Sequence, residues 1–384
     1  MAHTIDHRSV WPTHSHRLLI QAALCESEQA IAAWQAWQGR CDIQDIDDAS
    51  FFVLPRLYAN LKEQIADCET TDLLRGIYRK TWTHNQLRLR GLAQAIELFT
   101  RESIPHLALQ NVSLSLFQYK DIGTRALDAP DIAVPEAAFL AATSALQQHG
   151  WSAANNLPPP QLLPFISAIS FRNADGHTLN LCRRVFDVDI LSEYDEELYR
   201  RASPKTYNGI ALHVPDEVDL LLLVCFHSRK PDAMSLCRGV LDAAVLLKQN
   251  PTIDLSEALE RANDLGVVTA LRDMLLFLPQ NKLSLVPPKV LNRVKSHPEA
   301  NSASKHSDDL AAPLRRLSTL AAMWRRHRRV LRVHDQGEPI VGFLSFLMSY
   351  TQWKVDAHSR WELPSACAKE YWRRRRRTSR SAKA

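Results

Sequence analysis

A chain of 384 residues, 46% hydrophobic and 23% charged, can bury a large core, which excludes a disordered or fibrous protein. Only 11 glycines argues against a Gly-rich all-β architecture, and the frequency of Leu, Ala, Arg and Gln favours helix. The net charge of +5 is unevenly placed: from Lys369 onward eight cations face Glu370 alone, a local +7, which leaves −2 on the rest and argues against a body dedicated to nucleic acid.

Residues 1–16 read as a flexible polar terminus, with His3, His7, His14 and His16 as terminal polarity rather than a metal site. Residues 17–100 form an N-terminal helical region. Leu18, Leu19, Ala22 and Ala23, then Ile31, Trp34 and Trp37, recur at helical spacing. Asp48-Ala49-Ser50 starts a helix that continues through Phe52, Leu54, Leu57, Tyr58 and Leu61. A longer one runs from about Thr71 to Thr100. Its aromatic and aliphatic residues are core, and Asn85 is the polar exception that can face a site.

Residues 101–200 read as an α/β core. Leu107-Ala108-Leu109 is a short buried strand after Pro105, Gln110-Asn111 is a turn signal, and Val112 to Tyr119 spans two helical turns. Gly123 breaks that pattern, and Asp131-Ile132-Ala133-Val134 is a second strand ended by Pro135. A helix from Glu136 to Gln148 follows, with its acid in the first turn where the dipole favours it, and Gly150 closes it. Trp151 opens the next strand. Strands over Pro164–Arg172 and Thr178–Ile190 flank an Asp175-Gly176 turn. Asp187 and Asp189 have i, i+2 spacing. They share one strand face, or they are exposed strand-end charges.

Residues 201–290 read as a C-terminal helical region. Pro215-Asp216-Glu217 starts an apolar helix ending at His227, Asp242 lies on the next helix, and two amphipathic helices occupy Ile253–Leu278. Residues 291–310 are a Ser-rich linker. Residues 311–367 contain a basic helix (311–333) and a fourteen-residue apolar stretch, Ile340–Trp353, too short to span a bilayer. That stretch either docks on the core or lies at a membrane surface. Residues 368–384 are a basic tail with Trp372 and five consecutive arginines, able to meet nucleic acid or acidic lipid, with a solvated tail as the default. The predicted fold class is α+β: mostly helical, with a small mixed β-sheet flanked by N- and C-terminal helices.

Together these motifs carry a resemblance. Trp34-x-x-Trp37, Leu54-Pro55-x-Leu57-Tyr58-x-Asn60-Leu61, Tyr78-x-x-x-Trp82-x-x-Asn85, Leu109-Gln110-Asn111, Tyr119, Asp121, Gly123-Thr124-Arg125, Ala129-Pro130-Asp131, Val134-Pro135 and Gly150-Trp151 resemble a bacterial family of nucleotidyltransferases related to the polymerase-beta-type superfamily. The resemblance covers most of residues 17–280. It implies a sheet of nucleotidyltransferase type, with an Asp-x-Asp strand whose two carboxylates hold magnesium together with the substrate phosphates. In this chain the motif is degenerate. The family's Lys falls on Gln110, its Gly on Asn111, its first Asp on Ala129, its third carboxylate on Asn180 and its His on Cys182.

Carried over residue by residue, Asp131 would be the catalytic metal ligand, with Asp128, Asp187 or Asp189 replacing lost ligands. Gln110, Asn111, Gly123 and Arg125 would contact the nucleotide, Arg125 through its phosphates. Asn85, Tyr119, Asp121, Asn180, His227 and Asp242 would support the site, the last two as an internal pair. An amide is a weak neutral ligand and no general base.

Two function classes follow. One is transfer of a nucleoside monophosphate from ATP or another NTP to a hydroxyl acceptor, with Mg2+ as cofactor. The other is a catalytically inactive relative that binds a nucleotide, a partner protein, or an acidic membrane surface or nucleic acid through the tail. Seven scattered cysteines without a CxxC pair, and no apolar leader, predict a cytoplasmic protein with reduced thiols, peripheral at the inner membrane if the tail binds there.

Overall fold

A computed structural model describes residues 12–65, 69–186, 192–229, 232–284, 286–296, 342–354 and 362. Helix α1 (His14–Leu24) starts on Thr13, whose hydroxyl accepts from the His16 backbone N–H while the His16 ring turns back to Thr13. His16 Nε2 also lies 2.9 Å from the carboxylate of Asp47. Asp47 in turn caps α3 (Asp48–Leu61) through the Ser50 N–H. These contacts start α1 inside the segment expected to be a flexible terminus, because a capping Thr and a His–Asp contact extend it beyond its apolar repeat. Between them, α2 (Ser27–Gln38) stacks Trp34 on Trp37 with ring centroids 5.2 Å apart.

Helix α4 (Glu69–Arg101) has 33 residues, about 50 Å at 1.5 Å per residue. It bridges two parts of the core. Leu74 and Ile77 bury with α1 and α3, whereas Leu89, Leu92, Ile96 and Phe99 bury against the sheet.

The sheet is the small mixed one expected between residues 104 and 190. Its strands are β1 (Leu107–Ala108), β2 (Asp131–Ala133), β3 (Trp151–Ala153), β4 (Ala168–Asn173) and β5 (Thr178–Cys182), in the order β1-β2-β5-β4-β3. Only β2 and β5 run parallel; the other pairs are antiparallel. Leu107 pairs with Ala133, so the two strands of the 104–135 stretch are neighbours. The helix expected over residues 112–119 begins at α5 (Gln110–Ser113) and then widens into a π-helical turn, Leu114–Gln118, with Tyr119 N–H reaching Leu114 C=O. Helix α6 (Phe139–Gln148) enters through a 3-10 turn at Glu136–Ala138.

Two expectations need correction. Among the described residues β5 ends at Cys182 rather than running on toward Ile190, because Arg183 and Arg184 both turn to the Glu136 carboxylate. After α7 (Ser192–Arg201), the region predicted to be helical contains a hairpin, β6 (Ser203–Tyr207) and β7 (Ile210–Val214). Its turn is Asn208-Gly209 with φ of 48° and 81°, the left-handed pair that a two-residue hairpin demands.

The C-terminal region then stacks α8 (Glu217–His227), α9 (Ala233–Gln249), α10 (Leu255–Asp264), α11 (Val268–Gln280) and α12 (Pro288–Ser296). Asp216 caps α8 as its sequence predicts, and Leu220 to Cys225 are all buried. Helix α12 takes in the start of the expected linker. The basic helix at 311–333 and the basic tail lie outside the described residues.

The last described helix, α13 (Phe343–Lys354), is the C-terminal part of the apolar stretch. It docks on the 3-10 turn Pro160–Phe165: Phe346 is 1% exposed, its ring 4.3 Å from Phe165, and Trp353 Nε1 donates to Asn156 C=O at 2.6 Å. The stretch thus packs Phe346, with Tyr350 and Trp353 beside it, against the 3-10 turn. Among the described residues no helix is long and apolar enough to cross a membrane.

A polar chain around Asp131

The parallel register of β2 and β5 sets Asp131 directly beside Asn180. Asn180 Nδ2 donates to Asp131 Oδ1 at 2.7 Å, and Asn111 Nδ2, from α5, donates to Oδ2 at 2.9 Å. Each carboxylate oxygen thus carries one amide. Ser170, opposite Asn180 on β4, donates its hydroxyl to Asn180 Oδ1 at 2.6 Å. Burial raises the Asp131 pKa; the two amides pull it down, and the nearby charge of Asp128 adds to the rise.

On the other side the chain continues into the helical region. Asn111 Oδ1 accepts from Arg125 Nη2 at 3.1 Å. Arg125 is fully buried and gripped by Asp242 of α9, Nε to Oδ1 at 2.8 Å and Nη2 to Oδ2 at 2.9 Å. Its remaining donor, Nη1, reaches Ser115 Oγ at 3.1 Å and Asn111 C=O at 3.3 Å. Tyr119 donates its hydroxyl to Asp242 Oδ1 at 2.7 Å. Burial works against the Arg125 cation, but the Asp242 carboxylate outweighs it and holds the guanidinium protonated. Because Arg125 can only donate, it fixes which end of the Asn111 amide faces Asp131.

The loop that delivers Arg125 is tied at several points. Asp121 accepts from Tyr78 Oη, 3.0 Å to each oxygen, and from Gly123 N–H at 2.9 Å. Gly123 lies beneath the Tyr78 ring, and a Cβ there would sit 2.4 Å from it, so only glycine fits. Asn85, fully buried on α4, donates to Ile122 C=O (2.6 Å) and Arg125 C=O (2.7 Å) and accepts from Leu127 N–H (2.9 Å). It secures loop backbone rather than facing an open site.

Residues 52–281, well over half of the chain, match a family model described as an uncharacterised nucleotidyltransferase. The chain belongs to that family. Among curated proteins none matches it.

Within this nucleotidyltransferase domain the residues singled out from sequence divide into groups. Asp131, Asn111, Asn180, Arg125, Tyr119 and Asp242 form one connected network. Asp121, Gly123 and Asn85 hold its loop. Gln110 is buried, and its Oε1 is 2.6 Å from His227 Nδ1. His227 and Asp242 are therefore not the internal pair expected: Asp242 goes to Arg125 and Tyr119. Arg125 does not reach outward to a phosphate either, since it is 0% exposed and its donors are consumed inside. Asp128 turns away to an ion pair with Arg238 of α9, whose guanidinium also lies 4.5 Å from the Phe52 ring centre. Asp187 and Asp189 lie outside the described residues. The sequence reading missed Ser170, Ser115 and Arg238. Arg238 stands one helical turn before Asp242, a spacing that could have flagged it.

A magnesium ion needs oxygen lone pairs in a near-octahedral set. Asp131 presents both oxygens to amide N–H groups, Asn111 is held in that orientation by Arg125, and Asp128 is engaged by Arg238. Among the described residues no three His, Cys, Asp or Glu side chains converge. The donor set of the described residues does not fit the metal that nucleotidyl transfer uses.

Proposed function

We propose that this member of the nucleotidyltransferase family acts by binding, without metal-dependent transfer of a nucleoside monophosphate. The observation that carries the reading is the double amide clamp on Asp131. Ala129 and Asn180, at positions where the resemblance places carboxylates, support it, because an alanine offers no ligand and an amide only a weak one. In their place, hydrogen bonds hold the sheet to the C-terminal helices.

The competing function, transfer from ATP or another NTP to a hydroxyl acceptor, requires Mg2+ to displace two amides from Asp131. One of these is pinned by a buried guanidinium. Calorimetric titration of the full chain with MgCl2 and ATP tests the proposal. The expected result is no magnesium-dependent ATP binding in the micromolar range. Micromolar binding that needs magnesium and vanishes in Asp131→Ala would overturn it.

A further inference from the structure

Between Leu73 and Ile96, α4 carries Arg75, Arg79, Lys80, Arg88 and Arg90 and not one Asp or Glu. On a body whose charge outside the tail sums to −2, this is a local concentration that the net charge conceals. At 100° per residue, Arg75, Arg79, Trp82 and Arg90 fall within an arc of about 80°, over about 22 Å of helix. All four are exposed, as are Thr83 at the edge of the arc and Lys80 and His84 further round the helix. Trp82, expected in the core, is 45% exposed and Leu87 likewise, whereas among the described residues Trp34, Trp37 and Trp151 are buried and Trp353 is half-buried.

Arg75 is partly neutralised by Asp72 at 2.8 Å. Arg79, Lys80 and Arg90 have no carboxylate in ion-pair range among the described residues. A merely solvated helix face of this length would be expected to mix signs, and it would gain nothing from a tryptophan held in water.

We propose that this face of α4 is a docking surface for single-stranded nucleic acid. Guanidinium groups spaced along one line meet successive phosphates, with the Lys80 ammonium further round the exposed face, and an indole set between them offers a ring on which a base can stack, whatever its identity. The charge pattern selects a polyanion, and Trp82 favours unpaired bases over an acidic protein. The stripe runs beside Tyr78, which ties α4 to the 121–125 loop, so a bound strand would pass that loop. This inference does not depend on whether the Asp131 site is catalytic.

The test is fluorescence anisotropy of the full chain with a labelled single-stranded oligonucleotide across a salt series. Each phosphate contact contributes about −0.7 to the slope of log affinity against log salt for a single strand. The variant Arg79→Gln/Lys80→Gln/Arg90→Gln should therefore have a slope shallower by about 2. Trp82→Ala should bind about fivefold or more weakly, with its slope unchanged. All four positions are on the surface, and circular dichroism should be unaltered. Unchanged slope in the triple variant, or unchanged affinity in Trp82→Ala, overturns the proposal. So does loss of all binding when Arg373 to Arg377 alone are replaced by Gln, or preferential binding to anionic vesicles over the oligonucleotide.

Discussion

Asp242→Leu would leave the fully buried Arg125 guanidinium without the one carboxylate that pairs with it among the described residues. Ser115 and Asn111 would still accept from it, but they are neutral and cannot compensate a buried cation. Removing one partner of a buried ion pair costs ~3–5 kcal/mol, most of it the stranded charge. Arg125→Met should cost a similar amount, because Asp242 would keep only the Tyr119 hydroxyl. The double variant strands no charge. Its cost should fall to ~3 kcal/mol, the loss of the Asn111, Ser115 and Tyr119 contacts at ~1 kcal/mol each. The cycle then has a coupling of several kcal/mol. Urea unfolding followed by tryptophan fluorescence and by circular dichroism measures it, as a shift in midpoint at constant slope. If either single variant costs under ~1 kcal/mol, or the two costs simply add, the pair does not hold the two halves together as argued.

Asn180→Asp places a second carboxylate against Asp131 in place of a donor. It should lower the melting temperature in chelator and recover it in millimolar MgCl2, whereas the natural chain should be indifferent to magnesium; equal stabilisation of both would contradict the donor argument. Gly123→Ala drives a Cβ into the Tyr78 ring, and thermal unfolding should register ~1–3 kcal/mol of overpacking; a neutral result would mean that the ring yields freely. Burial lifts the Asp195 pKa from 3.8 to about 6 against the pull of Arg184. Because the folded pKa is the higher one, the stabilisation is present below pH 4 and lost as pH rises through 6. The full shift corresponds to ~3 kcal/mol, and the partial exposure of Asp195 reduces this to ~1–2 kcal/mol. A urea midpoint measured from pH 4 to 7 should fall accordingly, and Asp195→Asn should flatten that dependence.

Much of the fold was legible because apolar runs and punctuation coincide: Leu107–Ala108 after Pro105, Asp131–Ala133 before Pro135, Asp216 at the head of an apolar helix. The Asn208-Gly209 hairpin was not read from the sequence, because the strongly helical patterns around it masked a two-residue signal. Other features were not written locally. The π-helical turn after Ser113 depends on a backbone bond one residue longer than the helical repeat. The partners of Arg125 lie 10 and 117 residues away. From its neighbours alone, an arginine next to a Gly-x-Arg turn looks like a phosphate contact. Only the packing of α9 against the π-helical turn makes it an internal strut.

Helix α1 bears on how this protein can be divided. The matched family segment opens at Phe52, inside α3, and so excludes α1, α2 and the Asp47 cap. Yet seven of the eleven α1 residues are buried, including Leu19 and Ile20 at 0% exposure, in the same cluster as Phe52, Leu54 and Leu57. Excising residues 52–281 would uncover that apolar floor and fray the first turn of α3, leaving a fragment prone to aggregation. The boundary drawn by sequence kinship and the boundary of autonomous folding differ here by some forty residues, and a soluble fragment has to begin no later than Thr13.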